Sequence, residues 1–222
     1  MRTRLIVLDV DDTLYLECDY VRSGFRAVSD YVDQEFGFGG FYDHAWESFL
    51  AGRRGNIFDE VLTMLPDDRR PSVPDLVAVY RNHRPDITLC PDARAFLDEV
   101  AGDFHLGVVT DGPVASQRNK IEALGLDRWV TEFVVTGEHG PTWHKPSLLP
   151  FRHLEEAFGV HGAECVYIAD NPHKDFVGPT ELGWQAVRMV RPFGLHAEAD
   201  DAESSRPDAR VDGFGGMLDI LH

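Results

Sequence analysis

The stretch LIVLDVDDTLY, residues 5–15, sets a short β-branched apolar run directly against three carboxylates, Asp9, Asp11 and Asp12. An apolar run of this length that stops at acidic residues reads as a buried strand. Crowding three like charges at its end costs free energy unless a cation offsets them, so the stretch marks both a strand and a candidate site. Four similar runs follow: FHLGVVTD (104–111), TEFVVTG (131–137), CVYIAD (165–170) and QAVRMV (185–190). Helical patterns separate these later runs. SQRNKIEALG has Ser116 as its expected N-cap and Gly125 as its stop; PSLLPFRHLEEAFG has Pro146 near its first turn and Gly159 as its stop. Strand and helix alternating at this spacing imply an α/β fold, a parallel sheet with helices on both faces.

The interval between the first two strands differs. It carries four helix-like patterns, YVRSGFRAVSDYVDQEF, YDHAWESFLAG, NIFDEVLTML and PDLVAVYRNH, and no strand. The expected organisation is therefore an α/β core of residues 1–15 and 91–222, with an all-helical insertion over 16–90. GFGG occurs at 37–40 and 213–216, but neither copy follows a strand and opens a helix, so both read as loops. Residues 196–208, HAEADDAESSRPD, read as an acidic surface loop before a last strand near Val211 and a final helix to Leu221.

Composition narrows the function classes. A net charge of −17 argues against capture of nucleic acid or of an anionic membrane. No apolar run approaches the roughly 20 residues that cross a bilayer, and the start MRTRLIVLDVDD does not resemble a secretory signal. Cys18, Cys90 and Cys165 are scattered and form no CxxC pair, which favours a reducing cytoplasm. Lysine occurs at 120, 145 and 174 alone, so each is a candidate for a special role.

In an open parallel sheet, ligands bind beyond the carboxyl ends of the strands. Strand one ends in Asp9 and Asp11, strand two in Thr110, Asp111 and Gly112, and strand four in Asp170 followed by Asp175; Lys145 lies in the loop after strand three. Asp9 and Asp170 side by side would need a shared hard cation, and oxygen-only ligands suit Mg²⁺. A carboxylate beside Mg²⁺ can attack a phosphorus atom that would otherwise repel it, giving an aspartyl phosphate on Asp9. Thr110, with the backbone N–H groups near it, and Lys145 would then hold the phosphoryl oxygens, while Asp11 would protonate the leaving group and later deprotonate water.

With these residues in place, the chain resembles the haloacid dehalogenase superfamily of phosphohydrolases. The resemblance rests on D-V-D-D-T (Asp9 to Thr13), V-V-T-D-G (Thr110 to Gly112), the lysine of H-K-P (Lys145) and A-D-N-P-H-K-D (Asp170 and Asp175), in family order and across nearly the whole chain. It implies a Rossmann-like core and a helical cap at 16–90 that closes over the site. It also implies Asp9 as nucleophile, Asp11 as an acid/base whose backbone carbonyl also meets Mg²⁺, Asp170 as metal ligand and Asp175 as a partner near Lys145. Ala169 stands where the family often has glycine, and Asp12 where it often has glycine or asparagine.

The remaining candidates have plainer readings. Asp12 reads as solvated or as a hydrogen-bonding partner in the turn after the strand, and Thr13 as a loop stabiliser bonded to backbone or to the site carboxylates. Lys120 and Lys174 read as solvated, although Lys174 lies inside A-D-N-P-H-K-D and could approach the site, and His139 and His144 read as loop residues. In the cap, RRGN opens a helix, so Arg53, Arg54 and Asn56, with Tyr20 and Arg22, are the candidates for substrate choice; exposed arginines are the simpler reading. The expected activity is hydrolysis of a small phosphorylated metabolite by a monomer or homodimer. A phosphomutase on the same site is the alternative. Dehalogenation fits poorly because Asp11 is present, and phosphonate cleavage because residues 16–90 contain no lysine. A receiver-like phosphoacceptor has its acceptor on a later strand and no such insertion.

Overall fold

The computed structural model describes residues 2–66, 70–201, 203 and 206–221. They form two compact units, Met1–Cys18 with Thr88–His222, and Asp19–Ile87. The first holds six strands: β1 Leu5–Leu8, β2 His105–Thr110, β3 Glu132–Val135, β4 Cys165–Ala169, β5 Gln185–Met189 and β6 Ala209–Val211. All five pairings are parallel, in the order β3-β2-β1-β4-β5-β6. The chain builds outward from β1 to one side and then from β4 to the other. The carboxyl ends of β1 and β4 are thus the switch point of the sheet, where an open α/β sheet parts its loops.

The strands are apolar throughout because both faces are covered. Leu5 and Val7 share a buried cluster with Val109, Val134, Phe151, Leu154, Tyr167 and Trp184. Ile6 and Leu8, also fully buried, point to the opposite face because side chains alternate along a strand. Helices α6 (Val114–Leu124) and α7 (Leu149–Phe158) stop where expected, on Gly125 and Gly159, both left-handed with φ 61° and 63°.

Their starts correct the sequence reading. The N-cap of α6 is Pro113, so Ser116 lies inside the first turn and is buried. Helix α7 begins at Leu149 with Pro150 in its first turn, leaving Pro146 outside. Helix α5 (Pro91–Val100) lies outside the helical patterns read from the sequence, as does the short α8 (Val177–Glu181), although Pro91 opens α5 and Ala93, Phe96, Leu97 and Val100 form its buried face. Its Phe96 stacks on Phe214 at 4.6 Å. Short helices α8 (Val177–Glu181) and α9 (Met217–Ile220) complete this unit.

In the second unit lie most of α1 (Glu17–Phe36) and all of α2 (Phe41–Leu50), α3 (Ile57–Leu62) and α4 (Val73–Asn82). Its interior is aromatic: the ring of Phe25 meets those of Phe49, Phe58 and Tyr80 at 5.9–6.3 Å. Gly24 makes room for Tyr80, since a Cβ there would lie 2.4 Å from the ring. Ser72 caps α4 by accepting from the Asp75 N–H. Asn56 is the N-cap of α3, so Arg53 and Arg54 lie before that helix rather than in it. Among the described residues, no helix is long and apolar enough to cross a membrane.

Leu154 is fully buried where α7 meets the sheet, with its methyls against the backbone of Gly107. Leu154→Ala should lower the unfolding free energy by about 2–5 kcal/mol, read from urea denaturation.

Candidate active site

Parallel pairing of Leu8 with Ile168 carries the ends of β1 and β4 to the same level, and the Asp9 N–H donates to Ile168 O at 2.9 Å. Asp9 and Asp170, each just beyond its strand, thereby become neighbours. Asp175 joins them through a tight turn in which the Asn171 N–H donates to its Oδ2 at 2.9 Å and its own N–H donates to Asn171 O at 3.1 Å. One carboxylate oxygen from each of Asp9, Asp170 and Asp175 lies within 4.8 Å of the others, and all three residues are buried.

Three buried carboxylates this close need compensation. Lys145 supplies part of it. Its Nζ lies 2.8 Å from Asp175, 3.2 Å from Asp9 and 2.9 Å from the Tyr167 hydroxyl, which itself donates to Val109 O at 3.3 Å. Burial works against charge on Lys145, but Asp175 and Asp9 more than reverse this and hold its pKa well above normal. The carboxylates remain under-compensated. Burial raises Asp9 to about 6 despite Lys145, and burial together with Asp175 and Asp9 raises Asp170 to about 10. Three buried carboxylates against one lysine leave two negative charges to offset when all are ionised, a set of oxygens that suits a hard divalent ion.

The second strand brings its own group. The Thr110 hydroxyl donates to Gln117 Oε1 at 3.1 Å. Asp111 accepts from the Thr136 hydroxyl at 2.7 Å, the Lys145 N–H at 3.2 Å and Lys174 Nζ at 2.9 Å. Burial opposes its charge, yet Lys145 and Lys174 keep its pKa below normal. Gly112 has φ 140°, and a Cβ there would fall 2.7 Å from the Gln117 amide nitrogen. Glycine is required at that turn.

Several expectations change. Lys174 approaches the site, as one of its readings had it, and is ion-paired with Asp111. Lys120 is buried, and its Nζ lies 2.8 Å from both oxygens of Asp11. Asp11 also accepts from the Tyr15 hydroxyl and from the Gln117 amide, the latter at 3.3 Å. Burial acts against the Asp11 carboxylate, but Lys120, Tyr15 and Gln117 bring its pKa below normal. Asp12 is a hydrogen-bonding partner in the turn, as one of its readings had it, but it is not solvated: it is buried, with φ 47°, and accepts from the N–H groups of Glu17 and Leu195 at 2.8 and 2.7 Å. The buried Thr13 hydroxyl has no hydrogen-bond partner among the described residues; its carbonyl accepts from Arg191 at 3.0 and 3.1 Å. His144 bonds Thr136 at 2.9 Å, and His139 stacks on Trp143.

Two arginines went unnoticed in the sequence. The fully buried Arg188 of β5 donates to Asp170 O at 3.3 Å, His196 O at 2.7 Å and Asp201 at 2.5 Å. Arg191 holds Thr13 O and Asp92, the latter at 2.6 Å. With the Leu195 bond to Asp12, they tie the segment 191–201 to the loops after both β1 and β4. The expected acidic surface loop therefore begins as a strap with a buried anchor. Ala202, Ser204 and Ser205 lie outside the described residues.

The candidates Tyr20, Arg22, Arg53, Arg54 and Asn56 belong to the second unit and have partners within it. Tyr20 packs edge-on against Tyr80, Arg22 pairs with Asp19 at 2.9 Å, Arg53 and Asn56 meet Glu60, and Arg54 covers the Phe49 ring at 4.0 Å.

Comparison with known proteins fits this geometry. The model of the haloacid dehalogenase-like hydrolases matches residues 3–178. The glyceraldehyde 3-phosphate phosphatase of Methanocaldococcus jannaschii is 25% identical over 97% of this chain and 96% of its own. The phosphoserine phosphatase of Thermus thermophilus is 36% identical over 62% of this chain and 53% of its own. Among solved structures, the magnesium-bound HAD-hydrolase YfnB of Bacillus subtilis superposes with a TM-score of 0.72 at 18% identity, covering all of both chains.

Arg188→Met would leave two carbonyls and Asp201 without their buried donor. It should lower stability by about 1–3 kcal/mol and speed proteolytic cleavage within 191–201, read by thermal melting and limited proteolysis.

Proposed function

The chain belongs to the haloacid dehalogenase-like hydrolases, and we propose that it is a Mg²⁺-dependent phosphatase of small phosphorylated metabolites, working through an aspartyl phosphate on Asp9. The observation that carries this reading is the cluster of Asp9, Asp170 and Asp175 around Lys145 at the switch point of the sheet. The glyceraldehyde 3-phosphate, phosphoserine and N-acylneuraminate 9-phosphate phosphatases among the relatives support the substrate class, and the magnesium of the Bacillus subtilis structure supports the metal.

The residues that would hold the ion are Asp9, Asp170 and the Asp11 carbonyl, with Asp175 beside them. Mg²⁺ there supplies the positive charge that offsets the carboxylates and lets an anionic phosphoryl group approach Asp9. In the first step an oxygen of Asp9 bonds to phosphorus as the ester P–O bond breaks, and the departing oxygen takes a proton from Asp11, whose carboxylate takes that proton up as the substrate's negative charge arrives beside it. In the second, water attacks phosphorus, Asp11 takes its proton, and the bond to Asp9 breaks to release inorganic phosphate. Lys145 holds the Asp9 carboxylate in place and neutralises charge beside it. Thr110 and the turn through Asp111 and Gly112 offer the hydroxyl and backbone N–H groups for the phosphoryl oxygens. Thr13 and Asp175 support the two loops.

Residues 1–15 with 91–222 are the catalytic core in this reading, and 16–90 the cap in which substrate choice resides. Tyr20, Arg22, Arg53, Arg54 and Asn56 are its candidates.

With Mg²⁺, the protein should hydrolyse p-nitrophenyl phosphate and release phosphate from a panel of phosphorylated metabolites; EDTA should abolish both. Asp9→Asn should reduce turnover by at least about 10³-fold while leaving the circular dichroism spectrum unchanged; near-normal turnover would exclude Asp9 as nucleophile. Millimolar Mg²⁺ should raise the melting temperature of the wild type, because a ligand that binds only the folded state stabilises it. Asp170→Asn should lose that increment.

A further inference from the structure

Gln117 and Lys120 stand three residues apart on α6, on one face of the helix. Their side chains tie together two groups with separate duties. Gln117 accepts from the Thr110 hydroxyl at 3.1 Å while its amide donates to Asp111 O at 3.0 Å and Asp11 at 3.3 Å. Lys120 grips the same Asp11 carboxylate at 2.8 Å through each oxygen, and the Tyr15 hydroxyl also donates to its Oδ1. The lysine side chain is 4% exposed and the carboxylate 19%, so the pair is sealed on the helix side and accessible on the carboxylate side. A buried ion pair that served stability alone would gain nothing from leaving its anion open, and apolar side chains of similar volume would do as well.

We propose that Lys120 is a positioning residue for the proton-transferring carboxylate: it fixes where the Asp11 side chain rests and how it faces the departing oxygen. The proposal rests on the phosphatase reading above. Lys120 reaches the site at the Asp11 carboxylate, so its contribution passes through Asp11. General acid catalysis contributes typically about 10²–10⁴-fold and depends on geometry, so a loosened carboxylate loses part of that factor.

The test is a series of aryl phosphates running from p-nitrophenyl phosphate, whose phenolate departs without a proton, to phenyl phosphate, whose leaving group needs one. Values of kcat/KM with Mg²⁺ are compared for the wild type, Lys120→Met and Lys120→Arg. Lys120→Met should lose roughly tenfold or more on phenyl phosphate and markedly less on p-nitrophenyl phosphate, steepening the dependence on leaving-group acidity. Lys120→Arg, which keeps the charge and donors, should fall between. An equal loss across the series, or none, overturns the positioning role while leaving the phosphatase reading standing. A wild type that hydrolyses none of the esters, and no more than Asp9→Asn does, overturns both. Should circular dichroism show Lys120→Met unfolded, Lys120→Gln gives the same comparison with a neutral donor in place.

Discussion

The repulsion among Asp9, Asp170 and Asp175 is the constraint around which the α/β unit is arranged. Three carboxylates with oxygens inside 4.8 Å of one another are tolerated because Lys145 sits among them, sealed from water and hydrogen-bonded to Tyr167. That lysine in turn depends on the sheet. Tyr167 lies in β4 two residues before Ala169, and its hydroxyl reaches Val109 O in β2 across the intervening β1. A strand slip of one residue would turn Tyr167 to the other face and remove the hydroxyl from Lys145. The packed sheet thus carries the cost of gathered charge, and burial together with Asp175 and Asp9 pushes the Asp170 carboxyl up to about 10.

Around this centre runs a second layer of charge, buried or half-buried. Lys120 and Gln117 reach Asp11 from α6, Lys174 reaches Asp111, and Arg188 and Arg191 reach the Asp170 and Thr13 carbonyls from β5 and from two residues beyond it. Each cation meets a loop that follows a strand, where backbone groups no longer have ladder partners. The net charge of −17 therefore misdescribes the site: the carboxyl ends of the strands are acidic and basic in nearly equal measure.

The strands and both glycine stops were legible because each depends on local chemistry. Apolar β-branched runs bounded by charge are buried strands in almost any context, and Gly125 and Gly159 take a left-handed turn that other residues resist. Helix α5 escaped notice because it lies between the helical insertion and β2, outside the alternation that revealed the others. Ser116 is a favourable cap residue, but Pro113, three residues past the end of β2, caps α6 instead and starts the helix before Ser116 is reached.

By itself, the sequence determined the α/β class, the order of elements, and the identity of the carboxylates that gather at one sheet edge, since a strand end is a local event and parallel strands bring their ends together. Only the tertiary structure decided which cation meets which anion. Lys120 lies 109 residues from Asp11, Lys174 63 from Asp111 and Arg191 178 from Thr13. Nothing in the local pattern separates such a lysine or arginine from a solvated one, because long side chains choose partners by distance in space. LIVLDVDDTLY declared a crowd of like charges; the fold assigned Lys145 to Asp9, Lys120 to Asp11, and two backbone N–H groups to Asp12.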